Sequence, residues 1–459
     1  MNTIKYKIIP ILLLVITLAG CEDILDVEPT TQVAADNAMK NERGVKATIN
    51  GIYDEYQSAA LAQDLIIFGD LAADNLIHIG SKKEYKQISD NRILPDNVYV
   101  EGYWNALYDA INRINYMLSE ISDVEGLSDE DLAYYKGQAY FLRAFSYFNL
   151  VKFFDGVPLR TEPVNDVSPE VLNIGRATKE ETYKFIHEDL DKAEGFFEIK
   201  NPQTASLANL YAVKALRARV SLYNEQWTEA YVNARNVINS GEYDLLDSTN
   251  FAKLFQEQEN SEVIFEIDFS ASDDVNAMAD WTQEEGRFEV AAWDSYDKES
   301  SIADEYKSYD IRKDVTVAKG LNHYYCDKYS DLENSSDNII HFRLAEMYLI
   351  CAEALNETGY VSDGPAFDYL NAVHMRAGLD SLTSTNLSNQ SEFRDAIQHE
   401  RRLELAFEGH RYFDLVRTNR AANVLGDIGT LADNNWLFPI PQSEIDINEH
   451  EDMTQNGDY

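Results

Sequence analysis

The sequence is poor in cysteine, histidine and positive charge, and each shortage excludes a class of protein. Three cysteines, Cys21, Cys326 and Cys351, cannot build the disulfide framework that staples small secreted domains. Eight histidines with no close-set group leave little room for a Cys/His zinc site, and Ser335-Ser336-Asp337-Asn338 lacks calcium-loop spacing, so no metal is expected. Lys and Arg number 39 against 80 Asp and Glu, a net charge of −41, which argues against nucleic acid as a partner because such proteins need a basic face. Gly-rich phosphate loops, HExxH, GxSxG and paired CxxC are all missing, so no cofactor is expected. What is present is core material. Hydrophobic residues make up 45% of the 459 residues and aromatics 12%, far above a disordered acidic chain, and the length suits several domains or one large helical body.

The N-terminus reads separately from that body. Lys5 and Lys7 precede Ile8 to Leu18, a stretch apolar apart from Pro10 and Thr17. It falls short of the about 20 residues that span a bilayer, so residues 1–20 are read as an export signal. The following Leu18-Ala19-Gly20-Cys21 resembles the lipobox of bacterial lipoproteins, which implies that Cys21 is lipidated and becomes the mature N-terminus. Acyl chains at about 0.8 kcal/mol per buried methylene hold such a chain on a membrane without spanning it. Residues 21–38, with Glu22, Asp23, Asp26 and a polar run, are expected to be a tether, and acids behind the lipidated cysteine resemble the signal that sends Bacteroidota lipoproteins to the outer face of the outer membrane.

From about Met39 the pattern is helical. Ser128-x-x-Asp131 makes a capping-box-like start, and Tyr135, Ala139, Leu142, Ser146, Leu150 and Phe153 follow at helical steps until Gly156 and Pro158. Two stretches read as helix pairs: Ala215 to Tyr223 with Trp227 to Ala234, and Ala345 to Ala354 with Phe367 to Val373. Small residues that let helices approach and an aromatic on the next helix resemble tetratricopeptide packing, which makes Trp227, Tyr348 and Cys351 core residues. The helical period breaks between about Ser261 and Asn338. There Val263, Phe265, Ile267 and Phe269 alternate as one half-buried strand, followed by polar loops with scattered aromatics. Expected, then, is one compact, mostly α-helical body of tetratricopeptide-like pairs, residues 39–260 and 261–459 packed together, carrying an irregular, partly β insert.

The densest unusual segment runs from Ile397 to Arg417. Arg401, Glu404, Glu408 and Arg411 fall on one stripe if the segment is a single helix, and the reading adopted is a partly buried ion network rather than Glu404 or Glu408 as an acid with His410 as a base. This segment resembles the late signature of the SusD/RagB family of outer-membrane nutrient-uptake lipoproteins. Leu142 to Leu159 (LRAFSYFNLVKFFDGVPL), Arg343 to Leu355 (RLAEMYLICAEAL), Leu370 to Leu379 (LNAVHMRAGL) and Leu437 to Asn448 (LFPIPQSEIDIN) resemble its other blocks in the same order. Asp155, where a glycine is common, and His374, where an arginine is common, depart from it.

The resemblance implies a lid on a SusC-type TonB-dependent transporter barrel that captures oligosaccharides, without catalysis. Sugar rings offer an apolar face and a rim of hydroxyls, so flat aromatics with polar companions are the expected lining. Trp281, Trp293 and Tyr296 in the insert, with Tyr85 and Tyr99 in the aperiodic stretch Gly80 to Tyr99, fit best. A surface glycoside hydrolase, which needs only two carboxylates at a set separation, and a peptide-binding helical-repeat protein are the competing classes. Replacing Cys21→Ala should move the protein from the membrane to the soluble fraction on cell fractionation; persistent membrane association without any partner would contradict a purely lipid anchor.

Overall fold

The computed structural model describes residues 39–166, 168–270, 275–292, 301–426, 436–457 and 459. The export signal, Cys21, the tether, Trp293 and Tyr296 lie outside the described residues.

The helices of seven residues or more are α1 (Glu42–Gln57), α2 (Leu65–Leu71), α3 (Lys83–Ser89), α4 (Val98–Glu120), α5 (Asp129–Phe154), α6 (Lys179–Phe197), α7 (Leu210–Tyr223), α8 (Trp227–Ile238), α9 (Leu344–Thr358), α10 (Pro365–Arg376), α11 (Gln390–Glu404) and α12 (Arg411–Arg417). Polar side chains start them. Asn41, Asn97, Ser128, Thr178, Asn209 and Asn389 each accept from backbone N–H groups of the first turn, and Thr178 with Glu181 forms a reciprocal capping box. Helix α5 ends at Asp155, whose φ of 64° is a conformation glycine adopts more readily.

Consecutive helices pack side by side: α5 against α4 and α6, α7 against α8, α8 against α9, and α9 against α10 and α11. The expected pairs therefore form, α7 with α8 and α9 with α10, with Ala215, Ala218, Ala230 and Ala234 fully buried at their contacts. The body is mostly α-helical with tetratricopeptide-like pairs. Trp227 and Tyr348 are half-buried against the core and Cys351 is fully buried.

Six short strands form two sheets among the described residues: β1 (Leu76–His78), β3 (Val290–Ala292), β5 (Tyr324–Cys326) and β4 (Val317–Lys319) in that order, and β2 (Val263–Ile267) antiparallel to β6 (Ile339–Arg343). The sequence leads one to expect β2 half-buried, yet all its residues are buried. Its polar Glu266 is covered too, and its carboxylate accepts from the Glu259 N–H at 3.0 Å. Alternation of residue type thus marked a strand whose polar face is satisfied inside the protein.

The charged segment also differs from its expected form. Helix α11 stops at Glu404, the chain turns through Phe407 (φ 63°) and Gly409 (φ 77°), and α12 begins at Arg411. Arg401 and Arg411 consequently do not bracket the two acids; partners come from elsewhere. Glu404, fully buried, accepts from Arg343 Nη1 at 2.6 Å, Arg312 Nη1 at 3.1 Å and Arg376. Glu408 accepts from Arg343 Nε at 2.7 Å and Lys328 Nζ at 2.6 Å, and Glu262 at the start of β2 receives Arg343 and Arg376, both at 3.0 Å. Arg401 donates to Asp414 at 2.8 Å, and Arg411 to Asp74 at 2.6 Å.

Burial alone would raise the Glu404 and Glu408 carboxyls, but the arginines, with Lys328 for Glu408, hold both below the ordinary 4.5. A lowered folded-state pKa contributes stability that is present above the unfolded value and lost as pH falls through the folded one. The melting temperature should therefore drop as pH is taken below about 4.5, read by circular dichroism; a flat acid profile would contradict the network. Glu408→Ala strands Lys328 and part of Arg343 and should cost on the order of 3 to 5 kcal/mol in denaturant unfolding. A variant that unfolds like the parent but loses ligand binding would make this segment a site instead of a scaffold.

Candidate functional site

Strand pairing brings together the two aperiodic stretches that carry the aromatic candidates. Leu76 faces Ala292 and His78 faces Val290 across β1 and β3. Beyond β1, the Ile79 and Gly80 N–H groups donate to the Glu289 carbonyl at 3.0 and 3.1 Å, and the Glu289 carboxylate accepts from the Ser81 and Lys82 N–H groups at 2.8 and 3.2 Å. A Cβ at Gly80 would run into that carboxylate, so the turn needs glycine there. Asn97 fixes the other side. Its Nδ2 donates to the Glu84 carbonyl at 3.0 Å and to Gln87 at 2.8 Å, while its Oδ1 accepts from the Tyr99 and Val100 N–H groups.

The outcome is an aromatic cluster assembled from distant parts of the chain. Tyr85 and Tyr99 stack with centroids 4.5 Å apart and planes inclined by 17°, and Trp281 stands edge-on to them at 5.0 and 6.5 Å. Lys82 Nζ lies 5.8 Å from the Tyr99 ring centre and 5.7 Å from that of Trp281, and the exposed Arg287 guanidinium lies 5.9 Å from Trp281. Behind the cluster the Tyr85 hydroxyl donates to Asp64, whose carboxyl burial pushes up to about 7.

Three of the five expected rings are thus in mutual contact, but two differ from the open platform expected. Tyr85 is fully buried and Trp281 is 7% exposed, so in this structure they form a packed wall behind Tyr99, which is half-buried. The stretches are also more regular than their sequence suggests. Tyr85 lies in α3, Tyr99 in the first turn of α4, and Trp281 in the single helical turn Met278–Thr282. Short helices of one or two turns give too few repeats for a periodic signal. The polar companions Lys82, Arg287 and Asp64 carried no sequence signal, because long-range pairing alone brings them to the rings.

A sequence profile described as "Starch-binding associating with outer membrane" matches residues 23–222, and the profile of the SusD family matches residues 248–459. SusD-like protein P2 of Formosa agariphila is 29% identical, over 96% of this chain and 97% of its own length. Among solved structures, a laminarin-binding SusD-like protein superposes with a TM-score of 0.77 at 25% identity, covering 92% of this chain and all of its own. Surface glycan-binding protein A from Bacteroides thetaiotaomicron, solved with laminarihexaose, has a TM-score of 0.75 at 22% identity over 91% of this chain and 99% of its own, a likeness of fold. With profiles of this kind matching in tandem along nearly the whole chain, and the fold agreeing, the chain belongs to the SusD family.

Proposed function

We propose that this protein is a cell-surface glycan-binding lipoprotein, anchored in the outer membrane through Cys21 and facing the exterior, which captures oligosaccharides without cleaving them. It delivers them to a SusC-type TonB-dependent transporter barrel. The observation that carries the reading is the cluster of Tyr85, Tyr99 and Trp281 with Lys82 on its rim: a half-buried ring, Tyr99, stacked on buried Tyr85 beside a hydrogen-bond donor. A sugar ring stacks its C–H face on such a surface while its hydroxyls bond to the polar rim. Tyr99 supplies the ring and Tyr85 and Trp281 hold it in place; Trp293 and Tyr296, which follow β3 in the chain, are kept as sugar contacts on their sequence position alone. Family membership and a laminarin-binding relative of the same fold support the ligand class.

Tyr99→Ala should weaken glycan binding by about 1 to 3 kcal/mol, by analogy with stacking of bases on aromatics, while the protein still folds with a modestly lower melting temperature because Tyr85 loses its cover. Affinity electrophoresis against a polysaccharide panel that includes laminarin, followed by calorimetry and chromatography of the bound glycan, reads affinity and cleavage together. Parent-like affinity after Tyr99, Trp293 and Tyr296 are all replaced by alanine would place the site elsewhere, and released shorter products would make the protein a hydrolase. Trp281→Ala should instead lower stability by about 3 to 5 kcal/mol, because it empties a buried volume.

A further inference from the structure

The buried bases of this chain are paired almost throughout: Arg143 with Asp189, Arg219 with Glu346, Arg312 with Asp310 and Glu400, and Arg417 with Glu353 and Asp414. With 80 carboxylates against 39 bases, pairing is the expected state. Lys152, half-buried in the last turn of α5, has no such acid among the described residues. Its ammonium makes no hydrogen bond or ion pair with any described residue and lies instead among aromatic rings, 4.5 Å from the centre of Phe413, 5.6 Å from Phe153 and 5.7 Å from Phe148.

Lys152 opens on a cleft of about 290 Å³ where α5, α6, α7 and α12 meet, close in volume to the lower end of ligand pockets at about 300 Å³. Its inner wall carries the Tyr183 and Tyr223 side chains, and among the described residues neither hydroxyl has a hydrogen-bond partner. Burial raises both phenols, so each stays a protonated donor at neutral pH. Lys179 and Asn419 add donors at the rim, against the carboxylates of Asp155 and Glu225. Burial, with Arg219 nearby outweighing Glu346, pushes the Lys152 pKa well below its ordinary value, a shift that a bound anion would oppose by favouring the ammonium.

We infer that this cleft binds an oxyanion, a carboxylate or sulfate group, through Lys152 Nζ and the Tyr183 and Tyr223 hydroxyls. A guest of that charge supplies a counter-ion to Lys152 and accepts from donors on the cleft wall. The chain's overall charge opposes anions, but salt screens distant charges beyond about 8 Å, so groups lining the cleft decide. The site lies on different elements from the aromatic cluster. Its anion has two sources, a free oxyanion or a charged substituent of a glycan.

Calorimetry of the intact mature protein at fixed ionic strength, with sodium sulfate, sodium glucuronate, a glucuronate-terminated oligosaccharide and glucose as probes, tests the inference. Saturable binding of sulfate or glucuronate and none of glucose is expected. A much tighter oligosaccharide identifies a glycan substituent, and equal affinities identify a free oxyanion. Lys152→Met, which keeps the stem among the three phenylalanines, should lower the affinity at least tenfold, and Lys152→Arg should retain it. Tyr223→Phe should weaken it severalfold even if Lys152→Met does not fold. Absence of saturable anion binding at millimolar concentration, glucose binding equal to glucuronate, or parent-like affinity in Lys152→Met or Tyr223→Phe would overturn the assignment.

Discussion

Glu404 is the constraint on which the architecture rests. A carboxylate with no solvent exposure is tolerable only where cations and hydrogen bonds replace its hydration, and here Arg312, Arg343 and Arg376 converge on it from three separate segments. Its backbone carbonyl takes further bonds, from Arg343 Nη2 at 2.7 Å and Lys328 Nζ at 3.1 Å. The end of β6, the end of α10, the loop at 312 and the segment at 328 therefore all meet the last turn of α11. These cations share the acid with other carboxylates, Glu262, Glu400 and Glu408 among them, so the segments are tied into one network.

The same segment reaches across to the part of the molecule that carries the aromatic cluster. Asp70, in α2, accepts from the Phe407 and Gly409 N–H groups at 3.2 and 2.8 Å, and Asp74 receives Arg411 and Arg402. These contacts pin the chain just before β1, β1 pairs with β3, and that pairing aligns Tyr85 and Tyr99 with Trp281. The late charged segment is in this way the foundation of the proposed sugar surface. Rigid support behind a single accessible ring suits a binding surface, since little side-chain freedom is left to lose when a ligand docks.

Much of this was legible in the sequence where signals are local. Ser128 and Asp131 marked the start of α5, small residues and aromatics marked the helix pairs, and the clustered charges from Arg401 to Arg411 announced an ion network. Illegible were the features made by long-range contact. The turn at Phe407 and Gly409 breaks the expected stripe because Asp70 satisfies its N–H groups, a partner far earlier in the chain. Tyr85 looked free in an aperiodic stretch, yet a buried Asp64 accepts its hydroxyl and Tyr99 covers its face. Lys152 sits in a helix whose period gives no hint that its ammonium ends among aromatic rings with no acid partner among the described residues.

The central claim is a division of labour between a ligand-independent charged scaffold and a sugar surface built on residues 80–99 and 278–292. Hydrogen exchange followed by mass spectrometry, with and without a saturating glycan, tests it most directly. The account predicts slow exchange in β2, β6 and α11 in both states, with ligand-dependent protection confined to residues 80–99, 278–292 and the segment that follows them. Protection that appears in residues 397–414 on binding while 80–99 and 278–292 stay unchanged would contradict it.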